Sequence, residues 1–367
     1  MSCDAFSLAN AGVRGLQPYQ PGKPIEELQR ELGLSDIVKL ASNENPLGPS
    51  PLALAAAEKA LQDLHLYPDA SGFELKKKLA AKLAVKEHQF TLGNGSNDVL
   101  DLIARTFLGP GCSAVFSQHA FIVYPIAVQA VGARAIVTPA KDWGHDLDAM
   151  AAAIEEDTGV VFIANPNNPT GNYLNRTSMD AFLAKVPDRV MVVLDEAYVE
   201  FAGAADFPDG LTYLKKYPNV IVTRTFSKAY GLAGLRVGYG VSSLAVADLL
   251  NRVRAPFNVS MPALAAAVAV LDDEDYLQQS QQVNRDGMVQ ICVGLTELSL
   301  EFIPSLGNFI AFELPSDAMP VYQALLREGV IVRPVGVYQM PNHLRVSIGL
   351  AEENSRFLVA LKKVLSV

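Results

Sequence analysis

Between about residues 90 and 240, short apolar and β-branched runs alternate with stretches of helical spacing. The runs lie at 113–117, 133–138, 160–164, 190–194, 220–225 and 237–239. Within each, apolar residues follow one another instead of alternating with polar ones, as in a strand covered on both faces. Strands separated by helices in this way build a mostly parallel sheet with crossover helices, so the fold class is α/β. The rhythm changes after an Ala-rich apolar helix at 261–271. A long polar helical stretch over 276–300 leads into short strands at 308–313, 330–333 and 344–348, which read as a smaller α+β domain. The start of the chain shows little periodicity and carries Pro18, Pro21 and Pro24, the pattern of an arm lying on the body. The expected organisation is an N-terminal arm over 1–45 packing with the small domain, a large domain over 46–265 and a small domain over 266–367.

Composition narrows the function. A chain of 367 residues exceeds the size at which one core stops growing, which agrees with two domains. The net charge of -9 and the pI near 5.1 give no electrostatic footprint for nucleic acid. Cys3, Cys112 and Cys292 lie far apart and form neither a disulfide framework nor a CxxC motif, so a reducing cytoplasm is expected and a metal site is not. The first residues lack the apolar block of a signal peptide. The longest apolar stretch, 261–271, is about half a membrane span and runs into Asp272, Asp273, Glu274 and Asp275, so it reads as a buried helix.

The chemistry collects where strands end. The run at 220–225 passes into Ser227, Lys228, Gly231, Gly234 and Arg236. The carboxyl ends of an open α/β sheet are where ligands bind, and Thr225, Ser227 and Arg236 supply the hydroxyls and the fixed cation that suit a phosphate monoester. A lone lysine in a loop is ordinarily a surface residue. Beside a phosphate set, and desolvated, Lys228 can form an imine with an aldehyde cofactor that carries its own phosphate. The run at 190–194 ends in Asp195 and Glu196, which strand alternation sends to opposite faces, so one carboxylate faces the site. A magnesium-binding nucleotide hydrolase would also end a strand this way, but it needs a GxxxxGK[ST] loop. The only Gly-Lys pair, Gly22-Lys23, precedes Pro24 and follows no strand. The run at 160–164 passes into Asn165, Asn167, Asn168 and Gly171, putting the Asn168 amide at the same edge. In Gly93-Asn-Gly-Ser-Asn-Asp98, Ser96 reads as a helix N-cap whose following amides, at Asn97 and Asp98, form an anion site. Asp98 stands where a dinucleotide fingerprint wants glycine, so a single phosphate suits the loop better.

On these residues the chain resembles the histidinol-phosphate aminotransferase family, fold-type I class II enzymes dependent on pyridoxal 5'-phosphate. The likeness runs nearly end to end, through Tyr19, 41–46, Tyr67-Pro68, 93–98, Tyr124, 165–171, 195–198, 227–238, Arg333 and 344–349. It implies a Schiff base between Lys228 and pyridoxal 5'-phosphate, with Asp195 on the pyridinium nitrogen. It also implies that Asn168 and Tyr198 bond the ring 3'-oxygen and that Tyr124 stacks on the ring. The phosphate would be held by Ser227, Arg236, Thr225, the amides at Ser96, Asn97 and Asp98, and Tyr67 of a partner subunit, hence a homodimer with shared sites. Arg333, Arg345, Asn168 and Tyr19 would bind substrate, with glutamate or 2-oxoglutarate and histidinol phosphate entering in turn. The matching arginines can hold either anion through charge-assisted bonds.

Gln339 departs from the family, where glycine is expected, and puts the loop between the two arginines in question. The same machinery also serves an aromatic-amino-acid aminotransferase, the alternative to histidine biosynthesis. A regulatory protein that kept the fold and lost catalysis is disfavoured by intact Lys228, Asp195 and Arg236.

Overall fold

A computed structural model describes residues 3–366. Its central sheet has seven strands in the order Phe90–Gly93, Gly238–Val241, Val220–Thr225, Met191–Asp195, Thr158–Ala164, Ser113–Ser117, Arg134–Thr138. Gly238–Val241 runs antiparallel to both neighbours, and the remaining pairs are parallel. All six expected runs are strands with ends shifted by a residue or two. Phe90–Gly93 is an addition: four residues give too short a pattern to declare a period.

The continuous apolar runs resolve into two faces. Val161, Ile163, Val192, Leu194, Val220 and Val222 join one core cluster, with helices Phe73–Leu83, Arg176–Leu183 and Met261–Val270. The residues between them, Val160, Phe162, Val193 and Ile221, join the other, under Ser96–Phe107, Val123–Ala130 and Leu244–Val253. A sheet apolar on both faces must be covered on both, and crossover helices do this. The apolar helix Met261–Val270 is accordingly buried along Ala263, Ala266, Ala267 and Val270. Among the described residues no helix is long and apolar enough to cross a membrane, and no group of three or more His, Cys, Asp or Glu could hold a metal ion.

A second lobe is built on an antiparallel sheet in the order Phe302–Ile303, Phe309–Glu313, His343–Ser347, Arg333–Pro334. Helices Glu274–Glu297 and Ala351–Leu365 pack on it through Ile291, Leu295, Phe357 and Leu361. The strand expected at 330–333 is two: Val330–Ile331 pairs in parallel with Val38–Lys39, while Arg333–Pro334 pairs with the other side of the lobe at Arg345 and Leu344. Pro334, which has no N–H to give, sits on the sheet edge. The arm is more ordered than its weak periodicity suggests. Asp4 and Asn10 cap one-turn helices at Ala5–Leu8 and Ala11–Arg14. Ile25–Leu32 starts after Pro24, ends at Gly33 in the left-handed region and buries Leu28. The four-residue helices are too short to show a period, whereas Ile25, Leu28 and Leu32 stand at i, i+3 and i+7 and do carry a helical spacing.

Glu196, the residue after strand Met191–Asp195, shows how the chain handles a charge on the face of the sheet opposite Asp195. It is buried, and its Oε2 accepts from Arg224 Nε at 3.0 Å and Nη2 at 2.7 Å, while Oε1 accepts from the Gly210 amide at 2.7 Å. Arg224 also bonds Asp209 at 2.7 Å. Arg224→Ala removes the cation and leaves a buried carboxylate unpaired, so unfolding free energy should fall by about 3–5 kcal/mol. Denaturant titration checks this, and the double change Arg224→Met with Glu196→Gln should recover most of the loss.

Candidate active site

The parallel strands Thr158–Ala164, Met191–Asp195 and Val220–Thr225 are sheet neighbours, so their carboxyl ends open side by side. Around those ends lies a cavity of about 190 Å³. Its walls bring together Tyr19, Ser96, Asn97, Asn168, Asp195, Tyr198, Thr225, Ser227, Lys228, Arg236, Arg333 and Arg345. Asp98, Tyr124 and Tyr67 are outside it.

At the floor, Asp195 accepts from Tyr124 Oη at 2.9 Å on Oδ2 and from Thr223 Oγ1 at 2.9 Å on Oδ1. Thr223 stands directly opposite Asp195 in the strand register. Burial pushes the Asp195 carboxyl above its ordinary range, and these two donors hold it back. Lys228 Nζ donates to the Ser42 carbonyl at 3.2 Å and lies 5.7 Å from the centre of the Tyr198 ring. Burial, then the charge on Arg345, lowers its pKa to about 8, and Arg236 pushes the same way. An amine in that state is nucleophilic near neutral pH. The Tyr198 hydroxyl accepts from Asn43 Nδ2 at 2.9 Å, which leaves its proton for a group in the cavity, and burial raises its pKa to about 12.

One end of the cavity is a cradle for an anion. Gly95 is the N-cap of helix Ser96–Phe107, at φ +81, so Ser96 is the first helical residue and makes no cap bond of its own, contrary to the role expected for it. The reason is packing: a Cβ at Gly95 would meet Arg236 Nη2 at 2.3 Å, and one at Gly238 would meet the Ser96 amide at 2.4 Å. Two glycines thus let the helix start, the antiparallel strand and the guanidinium close on one point. Arg236 Nη1 donates to Ser227 Oγ at 3.2 Å, and the Ser227 amide donates to Thr225 Oγ1 at 3.1 Å. Asp98 turns away, accepting from the Asn94 amide at 2.8 Å and Asn258 Nδ2 at 2.7 Å.

The other end carries two arginines. Arg333 and Arg345 are paired directly across adjacent strands. Arg345 is buried, donating from Nη1 to Asn168 Oδ1 and from Nη2 to the Ala41 carbonyl at 2.9 Å, over the face of Phe309. Arg333 donates to the Gln20 carbonyl at 2.6 Å and lies 5.8 Å from the Tyr19 ring centre, so the arm closes on it. A cavity with an amine whose pKa is lowered and a buried carboxylate at its floor, and with cations at both ends, suits a carbonyl–amine exchange on anionic partners.

The family model for aminotransferase class I and II matches residues 35–361. The chain belongs to that family. It is similar to histidinol-phosphate aminotransferase 2 of Pseudomonas fluorescens, 63% identical across 100% of both chains. It is also similar to the Pseudomonas aeruginosa protein of the same name, 63% identical over 99% of each. Its backbone is similar to that of histidinol-phosphate aminotransferase from Sinorhizobium meliloti in complex with pyridoxal-5'-phosphate, with TM-score 0.91 at 31% identity over 100% of this chain and 99% of that one.

In this aminotransferase the stacking expected of Tyr124 is not what its position allows. Its ring is fully buried, stacked on Phe162 with centroids 4.9 Å apart, and its hydroxyl is committed to Asp195. Phe121, three residues earlier and just ahead of helix Val123–Ala130, lines the cavity instead. Asn43, Phe121 and Thr223 were not singled out by sequence. Thr223 and Asn43 owe their places to register and to a fold-back of the arm, which no local pattern encodes, whereas Phe121 was an aromatic within reach of the same motif. Tyr67 is 81% exposed and stacks on Phe257, outside its own chain's cavity.

The lowered pKa of Lys228 gives a pH test. The neutral fraction of the amine grows as pH rises, so in protein freed of any bound aldehyde, reductive trapping of an added aldehyde at Lys228 should rise through a midpoint near 8, not near the 10.5 of a free lysine. Arg345→Ala removes a charge that depresses it and should move the midpoint upward. A midpoint near 10.5 in the unaltered protein would remove burial as the cause.

Proposed function

We propose that the protein is a histidinol-phosphate aminotransferase, dependent on pyridoxal 5'-phosphate, that exchanges an amino group between L-histidinol phosphate and 2-oxoglutarate in histidine biosynthesis. The observation that carries the substrate is the cross-strand pair Arg333 and Arg345, set at the end of the cavity opposite the Arg236 cradle. Two guanidinium groups suit a phosphate or a second carboxylate, and ping-pong exchange requires one site to accept both.

The residues present fit the cofactor. Ser227, Thr225, Arg236 and the amides at Ser96 and Asn97 would hold its phosphate where Gly95 leaves room. Asp195 would pair with the ring nitrogen, Tyr198 and Asn168 would donate to the ring oxygen, and Phe121 would cover the ring in place of Tyr124. Asn168 has its Oδ1 committed to Arg345, so its amide protons remain to be donated. Bound there, pyridoxal 5'-phosphate supplies an aldehyde to take up the amino group and a ring to accept the electrons released at the substrate Cα. Lys228 Nζ, once displaced, is the base at hand to carry the Cα proton, and a pKa near 8 keeps it competent for that at neutral pH. Asp195 would favour a positive charge on the ring nitrogen. Tyr198 keeps its proton because its pKa lies near 12, so it acts as a donor. Arg345 orients the substrate through its anion, and the arm residue Tyr19 covers it, excluding water.

We further infer that the enzyme is a homodimer in the cytoplasm, with Tyr67 reaching the phosphate of the partner's site. Its exposure, and its distance from its own cavity, support that reading. Cys3, Cys112 and Cys292 are free thiols, consistent with a reducing compartment.

Two experiments test these readings. In half-reactions, the holoenzyme is mixed separately with histidinol phosphate, glutamate, phenylalanine and tyrosine while cofactor absorbance is followed. Histidinol phosphate and glutamate should react with the highest kcat/KM, and Arg345→Ala should lower both by about 2 kcal/mol, roughly 30-fold, through loss of a buried charge-assisted contact. A preference for phenylalanine or tyrosine, with Arg333→Ala silent on every donor, would make the protein an aromatic-amino-acid aminotransferase. For the shared site, Tyr67→Phe should loosen cofactor retention by about 1.5–3 kcal/mol, one hydrogen bond to a charged acceptor. Mixed with Lys228→Ala protein it should yield hybrid dimers holding one fully unaltered site. Mixtures that never regain unaltered retention and turnover would place Tyr67 with its own chain.

A further inference from the structure

The departure at Gln339 has a structural counterpart. Gln339 ends the turn Gly336–Tyr338 with φ +60 and ψ 36, the left-handed region, and its amide donates to the Gly336 carbonyl at 2.9 Å. Glycine makes this conformation without strain, and a residue with a Cβ does not. The backbone is thus the one a glycine would adopt, and the glutamine is accounted for by what its side chain holds.

That side chain crosses between lobes. Gln118, just past strand Ser113–Ser117, donates from Nε2 to Gln339 Oε1 at 2.7 Å. Gln118 is itself anchored: its amide donates to the Thr138 carbonyl at 2.9 Å, and its Oε1 accepts from the Ala140 amide at 3.5 Å. The next residue, His119, is buried and donates from Nδ1 to the Tyr338 carbonyl at 2.7 Å. Two successive residues of the large lobe therefore grip two successive residues of the small one. Outside them Trp143 packs between His119 and His343, with ring centres 5.3 and 4.7 Å away. Tyr338, gripped at its carbonyl and followed by Gln339, gripped at its side chain, is buried, packs with Ile122, Val335 and Met340, and lines the cavity beside Arg333 and Arg345.

We propose that Gln339 is a positioning residue for substrate: with Gln118 and His119 it straps the 335–339 turn to the large lobe and so holds the Tyr338 ring in the arginine end of the cavity. The strap acts on binding and not on the proton transfer at Lys228, so it bears on KM and leaves kcat nearly alone. This inference rests on the assignment of the arginine end to substrate made above.

The test uses holoenzyme carrying Gln339→Gly, Gln118→Ala and both together. Gln339→Gly relieves the backbone while removing the bond, so melting temperature should hold or rise. Each single change should raise KM for histidinol phosphate about three- to tenfold, the effect of one neutral hydrogen bond, with kcat within about twofold. The double variant should be no worse than the poorer single one, because both remove the same contact. Should the unaltered enzyme prefer another donor, the same KM ratios are read with that donor, so failure of the substrate assignment and failure of the strap are separate results. The strap is refuted if neither single change moves KM, if the two effects multiply in the double variant, or if KM changes only in step with a fall in melting temperature.

Discussion

Removal of water from the carboxyl edge of the parallel sheet governs the site's chemistry. Asp195 is 4% exposed at the end of a central strand, and a carboxylate so placed moves toward its neutral form unless donors hold its charge. Tyr124 and Thr223 supply those donors, but neither is a cation. Lys228 is subject to the same dryness with the opposite sign, and its ammonium is pushed toward the neutral amine. The environment therefore raises the acid and lowers the base together. A protonated heterocycle bound in this cavity would supply the positive charge Asp195 lacks and would meet an amine that Lys228 can offer in its neutral form, so one cavity could serve both.

The same dryness makes the arginine end intelligible. Like charges directly opposite on neighbouring strands are unfavourable, and burial of Arg345 adds to the cost, pushing its guanidinium pKa down. The fold offsets part of this with the Ala41 carbonyl, the Asn168 amide oxygen and the face of Phe309. Each of those contacts comes from a different segment. The arm supplies Ala41, and with Gln20 and Tyr19 it also closes over Arg333. The arm is held by apolar packing of Leu28 and Ala41 on Leu326 and Ile331, by the pairing of Val38–Lys39 with Val330–Ile331, and by answering charges that the second lobe does not satisfy alone.

How much of this was readable from sequence follows from how local each feature is. Lys228, Asp195 and Asn168 stand within a few residues of the ends of apolar runs, and Arg236 stands just before the next one, so the runs and their polar borders made both the strands and the site readable. Helix and strand ends were harder. Ser96 looks like a cap, yet the cap is Gly95, because close approach of Gly238 and Arg236 leaves no room for a side chain there. Tyr124 and Phe121 are aromatics three residues apart, and only the start of helix Val123–Ala130 decides which one faces the cavity. The opposition of Arg333 to Arg345, and of Thr223 to Asp195, is a matter of register between segments, and nothing near those residues in the chain records it.

Adjacent Asp195 and Glu196 show what separates a charge kept for structure from one kept for chemistry. Composition and position make them equivalent, and strand alternation merely sends them to opposite faces. Glu196 finds a bidentate guanidinium and a backbone amide, so both its oxygens are answered within the fold, and Arg224 goes on to Asp209. Asp195 finds two hydroxyls and the Ala197 amide but no guanidinium, and Arg345 is left with its Nε without an acceptor. Buried charges whose partners are complete inside the chain hold it together and have nothing left to offer. Those whose partners are incomplete make the folded protein less stable than it could be, and the deficit is met only when a ligand of the complementary charge enters. Asp195 and Arg345, whose partners are incomplete, line the cavity at the strand ends, while the complete pair, Glu196 with Arg224, lies on the opposite face of the sheet, where Glu200 keeps one buried carboxylate oxygen without a partner.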